Sequence, residues 1–300
     1  YGSLHHPGDQ YALDIFDQIG LGLRSTKLKV LGRLRPRHFV AVGESQSAFY
    51  MTTFADTLEP LSRTFDGLFI HSRGGNGAAL NGASITSGSI GPTNLWIRTD
   101  LHVPVFMFET QTDLIELGYA AAQQPNTRHI RTWEVAGTSH ADDYVLGSAA
   151  NSNILGCTTP INTGPQHIVV QAAFAAFVRW VVRGTPPPSP SRFRLRSAHP
   201  AALALDRYGN VIGGVRTPAV DVPVSTLSGA APPGTSTICS LFGSTTSFTP
   251  KMLVSLYGSK ANYLTKYTAD LKRAIAAGYI LPADRPTLLA QARQVQFVSS

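Results

Sequence analysis

Short apolar stretches alternate with amphipathic stretches along the first half of the chain. Tyr11 to Arg24 has apolar residues at helical spacing, which predicts an amphipathic helix. The apolar stretches predict four strands, at residues 38–42, 65–71, 103–108 and 130–135. Further helices are predicted at 48–58, 114–124 and 166–183. Since apolar strands that alternate with helices are typical of a mostly parallel sheet with helices on both faces, the pattern indicates an α/β fold.

The character of the chain changes after residue 184. Gly184 to Pro190 is a proline-rich connector, which cannot continue the preceding helix. Beyond it, short extended pieces between Leu203 and Val224 are separated by turn signals, and two helices are predicted near 250–278 and 283–296. The sequence therefore predicts an α/β core over residues 1–184 and a mixed C-terminal extension over residues 185–300 that packs on the core.

Composition narrows the classes of function. The formal net charge of +7 comes largely from scattered arginines, and because the chain has no basic run, nucleic-acid binding is not predicted. No apolar stretch approaches the roughly 20 residues that span a bilayer, so no membrane-spanning segment is predicted. The chain opens at Tyr1 rather than at a methionine, which is consistent with a natural N-terminus further upstream.

The two cysteines, Cys157 and Cys239, stand far apart with no CxxC spacing and no histidine partners, which argues against a zinc site. They form either one disulfide or two separate buried thiols, and the disulfide is favoured. Because disulfides persist in oxidising compartments, a pair here would imply a secreted or periplasmic protein.

The most informative local pattern is a serine between small residues, directly after a predicted strand. Residues 43–47 read GESQS, close to the G-x-S-x-G nucleophile elbow, with Ser47 in place of the second glycine. Small residues at Gly43 and Ser47 would let two backbone segments approach closely and leave Ser45 exposed on a strained turn. The N-terminal N–H groups of the next helix would point at the same place and could stabilise an oxyanion formed there. An ordinary turn is the alternative.

A nucleophilic serine needs a base, and the base needs an orienting group. The loop after the third predicted strand supplies Asp113, and the loop after the fourth supplies His140. Since loops at the carboxyl ends of parallel strands converge, Ser45, Asp113 and His140 are predicted to form a triad. Glu109, which directly follows the third strand, competes for the role of the acid, and Asp113 is favoured.

Other polar residues near these strand ends are candidates for substrate binding. His71 and Arg73 end the second predicted strand and would either line a pocket or satisfy loop carbonyls. Glu44 flanks the serine, and Glu109 could line the pocket if it is not the acid. Asp142 and Asp143 are predicted to cap a helix after His140.

The whole chain resembles the uncharacterised α/β-hydrolase domain family. The resemblance rests on runs such as HPGDQYALDIF, AVGESQSA, FDGLFIHSRGG, VPVFMFETQTDL, WEVAGTSHADDY, PINTGPQH, RWVVRGTPPP and CSLFGST. It implies a serine hydrolase that cleaves carboxylic esters of small molecules through an acyl-enzyme, without a cofactor or a metal. Ser45 would be the nucleophile, Asp113 the acid and His140 the base, with Gln46 supplying one oxyanion donor.

The chain departs from this family pattern before the elbow. Several strands and a second oxyanion-hole loop usually precede the nucleophile, whereas here one helix and one strand do, so the sheet is expected to lack its N-terminal strands. Three alternatives remain open at this point: acyl transfer, amide or peptide hydrolysis on the same triad, and a non-catalytic binding module that keeps the fold.

Overall fold

A four-stranded parallel sheet carries the elements that were predicted from the first half of the sequence. The computed structural model describes residues 3, 9–25, 27, 29–83, 91, 93–151, 155–230, 234 and 236–297. The strands of this sheet lie in the order β1-β2-β3-β4 and comprise Val40–Glu44, Gly67–His71, Val105–Glu109 and Ile130–Glu134. β1 is parallel to β2, with Val40 opposite Gly67 and Glu44 opposite His71.

Helices follow or precede each of these strands, as expected for an α/β fold. They are α1 (Ala12–Arg24), α2 (Gln46–Thr57), α3 (Glu59–Ser62), α4 (Gln111–Ile115), α5 (Asp143–Leu146) and α6 (Gln166–Arg183). The residues of β3 are all buried, which is why its sequence is a continuous apolar run rather than an alternating one. The predicted fold class is thus confirmed.

The helix predicted at 114–124 is wrong. Its region contains the short helix α4 and, after a break, a 3₁₀ turn at Tyr119–Ala122. The break falls at Gly118, which has φ +73°, a conformation that ends helices and that glycine adopts without strain.

The rest of the chain forms small antiparallel pairs and short helices. These elements are β5 (Leu195–Ala198), β6 (Ala201–Leu203), α7 (Pro218–Asp221), β7 (Ser225–Ser228), β8 (Ser244–Ser247), α8 (Pro250–Tyr257), α9 (Lys260–Ala276) and α10 (Arg285–Gln294). β5 pairs with β6 and β7 with β8, both antiparallel. The single helix predicted at 250–278 is instead two helices, because Gly258 has φ +73° and the Ser259 side chain caps the start of α9.

The chain divides into two compact units. The first comprises residues 1–107, 117–132 and 177–186, and the second comprises residues 108–116, 133–176 and 187–300. The predicted boundary at residue 184 stays a prediction. None of the helices in the described residues combines the length and apolar character that crossing a membrane requires.

In the first unit, α1 is anchored to α2 and to the segment before β2. Phe16 packs against Phe54 and Phe65, with ring centroids 5.4 and 5.1 Å away. Arg24 forms an ion pair with Asp66 at 2.7 Å. Aromatic and ionic contacts together fix the helix that precedes the elbow.

In the second unit, one apolar cluster joins the C-terminal helices to α6, and another lies beside the loop after β4. Ile168 of α6 packs with Leu271 of α9 and Leu288 of α10. A separate cluster contains Ile161, Cys239 and Phe242. This second cluster contacts the chain directly after His140, through Ala141 and Leu241.

Candidate active site

Ser45 occupies a tight turn between β1 and α2, in the first unit. Its φ and ψ are 54° and −121°, which a residue with a side chain rarely adopts. Such strain costs on the order of 1–3 kcal/mol and is concentrated at functional sites. The Ser45 N–H donates to the carbonyl of His71 at 3.0 Å, and this bond holds the turn against the end of β2.

Gly43 is required by the close approach of the turn to its own helix. A Cβ at this position would lie 2.7 Å from the carbonyl oxygen of Ser47 and 3.1 Å from the Cβ of Met51. Real Cβ atoms do not approach a backbone oxygen so closely. The Ser47 side chain, by contrast, is exposed, so the serine that replaces the second glycine of the elbow pattern fits without a clash.

The start of α2 presents backbone donors beside the serine. Ser45 is the N-cap of this 12-residue helix, yet its side chain makes no capping hydrogen bond. The first N–H groups of a helix have no partner within the helix, and Gln46 is the first residue of α2. Anionic oxygen is stabilised at such a helix end by the N–H groups and the helix dipole.

Asp113 and His140 form a buried hydrogen-bonded pair in the second unit. Asp113 lies in α4, just after β3, and His140 lies in the loop after β4. Nδ1 of His140 is 2.7 Å from Oδ1 of Asp113. Asp113 is fully buried and His140 is 6% exposed, so water does not compete for this bond. The carboxylate thereby fixes the ring orientation and favours the tautomer that carries its proton on Nδ1.

Thr110 holds the other oxygen of the same carboxylate. Its backbone N–H and its hydroxyl both donate to Oδ2 of Asp113, each at 2.7 Å, as part of a capping box at the start of α4. Burial acts to raise the pKa of Asp113, but the bonds from His140 and Thr110 outweigh it and hold that pKa below its usual value. Asp113 is therefore ionised throughout the neutral pH range.

The loop that carries His140 is fixed on both sides. The Nε2 of Gln166, in the first turn of α6, donates to the His140 carbonyl at 3.2 Å. The N–H of Gln111 donates to the Thr138 carbonyl at 3.3 Å, which links α4 to this loop. Asp142 accepts from the N–H of Val145 at 3.0 Å and caps α5, as predicted, whereas Asp143 is the first residue of that helix rather than its cap.

The remaining predicted residues differ in accessibility. Glu44 and Gln46 are exposed beside the elbow, and His71 is half-buried at the end of β2. Arg73 is fully buried, and its guanidinium donates to the carbonyls of Gly74 and Leu95. Its third guanidinium nitrogen faces the sulfur of Met107 at 3.9 Å, and the role of Arg73 in a substrate pocket stays a prediction.

Arg73 also lies over the ring of Tyr119, with 5.2 Å between the guanidinium carbon and the ring centroid.

Glu109 is the last residue of β3 and is fully buried, and its carbonyl accepts from the N–H of Val135. Among the described residues, no group of three or more histidines, cysteines, aspartates and glutamates is placed to hold a metal ion.

Three supporting residues were missed by sequence reasoning. Thr110 could have been found, because a threonine three residues before an acid is a capping-box pattern. Gln166 and Gly229 carry no such signal, because each contacts a distant part of the chain: Gln166 bonds to His140, and the N–H of Gly229 donates to Oε1 of Gln111 in α4.

Cys157 and Cys239 form a disulfide, the alternative that the sequence favoured. The bond joins residues 82 positions apart. It lies within the apolar cluster that contacts Ala141, the residue after His140.

Comparison with known proteins identifies the family. The model of the alpha/beta hydrolase domain family matches residues 1–290. The chain therefore belongs to the alpha/beta hydrolase domain family, as the resemblance of its sequence indicated. No curated protein and no solved structure matches the chain.

Proposed function

We propose that the protein is a serine hydrolase that cleaves carboxylic esters of small molecules, with Ser45 as nucleophile, His140 as base and Asp113 as acid. The observation that carries the proposal is the buried hydrogen bond of 2.7 Å between Asp113 and His140. Membership of the alpha/beta hydrolase domain family and the strained turn at Ser45 support it. The same hydrogen bond favours Asp113 over Glu109 as the acid.

In the proposed reaction, Nε2 of His140 takes the proton of the Ser45 hydroxyl while the oxygen attacks the ester carbonyl. The carbonyl electron pair moves onto oxygen, and the N–H of Gln46 donates to that oxyanion. Collapse expels the alkoxide, which takes the proton from His140 and leaves an acyl-enzyme. A water molecule then gives its proton to His140 and attacks the acyl carbonyl, and the carboxylic acid leaves as Ser45 regains the proton.

A fluorophosphonate probe tests this proposal, because it phosphonylates only an activated serine. We expect one adduct, located by peptide mass on the peptide that contains Ser45. Labelling should be lost in Ser45→Ala and His140→Ala. Ser255→Ala, which removes an exposed hydroxyl of α8, serves as the matched control and should label like the wild type.

The outcomes separate the alternative functions. Folded wild-type protein that takes up no probe would overturn the hydrolase proposal and favour a non-catalytic module. If the protein is labelled, turnover of p-nitrophenyl esters without turnover of p-nitroanilides supports ester hydrolysis. Turnover of anilides alone would replace the esterase by an amidase, and acyl transfer to an added alcohol in preference to water would replace it by an acyltransferase.

The disulfide supports a further part of the proposal, namely that the protein functions in an oxidising compartment outside the cytoplasm. Trapping thiols with iodoacetamide in intact producing cells, followed by intact mass, tests this location. We expect no carbamidomethyl groups on the mature protein. Two such groups in the native protein would contradict it.

A further inference from the structure

The segment directly after β7 contacts α4, which carries Asp113, and the loop that carries His140, although it lies more than 110 residues from Asp113 in the sequence. Gly229 is the centre of this contact. Its N–H donates to Oε1 of Gln111 at 3.1 Å, and its carbonyl accepts from the hydroxyl of Thr112 at 2.7 Å. Both polar groups of Gly229 are thus bound to the first turn of α4, the helix that carries Asp113.

The neighbouring atoms leave no room for a side chain at Gly229. A Cβ on Gly229 would lie 2.5 Å from the Cβ of Gln111, 2.7 Å from the nitrogen of Thr112 and 2.8 Å from the carbonyl oxygen of Thr138. The first two atoms belong to α4, which carries Asp113. The third belongs to the loop between β4 and α5 that carries His140, called the histidine loop below. Gly229 therefore fills the space where these two elements meet.

Gly243, the residue before β8, packs equally closely against the same segment. A Cβ on Gly243 would lie 2.2 Å from the Ser228 carbonyl and 3.0 Å from the Cβ of Ser139. The Nδ2 of Asn162 donates to that Ser228 carbonyl at 3.0 Å, and the side chain of Asn162 is fully buried. The segment at 228–229 is consequently contacted from three sides, by α4, by Asn162 and by Gly243.

We propose that Gly229, held by the side chains of Gln111 and Thr112, is a positioning residue that sets the orientation of Asp113 toward His140. The inference rests on the proposed function, because it assigns Gly229 to the geometry of the proposed acid–base pair. Gly229 touches no reacting atom in this mechanism. Its effect on the reaction passes through α4 and the loop at Thr138.

The test removes one hydrogen bond without changing the shape of the side chain. Thr112→Val deletes the hydroxyl that donates to Gly229, whereas Thr112→Ser keeps it. Thr226→Val is the matched control, because the Thr226 hydroxyl also donates to a backbone carbonyl, that of Tyr208, at 2.6 Å. Thr226 lies in β7 but makes this bond with a residue outside α4 and the histidine loop.

For ester hydrolysis, we expect Thr112→Val to lower kcat by roughly 10–100-fold, since small misplacements of catalytic groups have effects of this size. KM should change by less than about threefold, because ground-state binding is not involved. Thr112→Ser and Thr226→Val should both keep kcat within about twofold of the wild type. Equal losses of kcat in Thr112→Val and Thr226→Val would overturn the proposal, because the effect would then be general destabilisation.

A second readout does not depend on hydrolysis. The Nδ1 proton of His140, bonded to Asp113, should give a low-field proton resonance that is absent from His140→Ala. We expect this resonance to shift or vanish in Thr112→Val and to persist in Thr226→Val. An unchanged resonance and an unchanged kcat in Thr112→Val would refute the positioning role, whereas a wild type that shows the resonance but no hydrolysis would refute only the proposed function.

Should Thr112→Val not fold, Gly229→Ala provides an independent variant, since its added methyl pushes α4 and the histidine loop apart. It should show the same loss of kcat and the same change of the resonance. Wild-type values of both in folded Gly229→Ala protein would overturn the proposal.

Discussion

Replacing Asp113 by asparagine should fix the histidine in the wrong tautomer. Oδ2 of the carboxylate receives two hydrogen bonds from Thr110, and Oδ1 faces Nδ1 of His140. In Asp113→Asn, the amide oxygen should take the position that faces Thr110, because an NH₂ group there would meet the backbone N–H of Thr110, which can only donate. The NH₂ group then faces His140, so Nδ1 becomes an acceptor and the ring proton moves to Nε2.

The size of the effect follows from the proposed role of Nε2. A protonated Nε2 cannot take the proton of Ser45, so the base is lost while the ring stays in place. The same exchange in a Ser-His-Asp triad lowers kcat by about 10⁴-fold, which corresponds to about 5.5 kcal/mol of barrier. The cost in folding stability is smaller, about 1.5–3 kcal/mol, as expected for one hydrogen bond that involves a charged group.

The assay compares kcat for p-nitrophenyl acetate and the urea unfolding midpoint of the wild type, Asp113→Asn and Asp142→Asn. Asp142 is a second buried aspartate, and asparagine caps a helix as well as aspartate does, so kcat of this control should stay within about threefold of the wild type. If Asp113→Asn keeps kcat within tenfold of the wild type, Asp113 does not set the tautomer of His140 and the proposed triad is wrong.

Three further measurements address the elbow, a buried carboxylate and the disulfide. Gly43→Ala places a methyl group 2.7 Å from the Ser47 carbonyl oxygen, so we expect a loss of about 1–3 kcal/mol in unfolding free energy and slower phosphonate labelling; labelling at the wild-type rate would contradict the close packing. Burial raises the pKa of Glu59 from 4.5 to about 7, so the folded state binds this proton more tightly than the unfolded state does. The free energy of unfolding should therefore fall by up to roughly 3 kcal/mol as the pH rises through that range. Urea unfolding at pH 5 and pH 8 should show this loss in the wild type and in Asp14→Asn, an exposed control, but a smaller loss in Glu59→Gln. Reduction of the disulfide opens a loop of 82 residues and should cost about 2–4 kcal/mol, and equal melting temperatures with and without reductant would contradict this.

The strands and the paired residues could be predicted because their signals are local. Each predicted strand of five to seven residues became a strand whose bounds differ by at most two residues, and the segments directly after β3 and β4 supplied Asp113 and His140. The shift at β1 has a physical cause. The apolar run stops at Val42, but the backbone continues to pair with β2 as far as Glu44, opposite His71. The hydrophobic pattern of the side chains carries no information about hydrogen bonds between main-chain groups, so it does not show where the strand ends.

The helices that were predicted too long show a different limit. The helices predicted at 114–124 and 250–278 ran through Gly118 and Gly258 without a break. Both glycines have φ of +73°, a backbone conformation that ends a helix and that apolar spacing does not reveal. Local chemistry decides such positions, as Ser259 shows by capping the helix that starts after the break.

A comparison of Gly43 and Gly229 shows which features of the candidate site the sequence reveals and which it does not. Gly43 avoids a clash with Ser47, four residues further along, so its requirement appears in the sequence as a short motif around Ser45. Gly229 avoids a clash with Gln111 and Thr138, which are about a hundred residues away, so no motif can record it. The candidate nucleophile Ser45 can thus be found from one strand and one turn. The proposed positioning of Asp113 toward His140 depends on the fit of a distant segment, and that fit exists only in the folded chain.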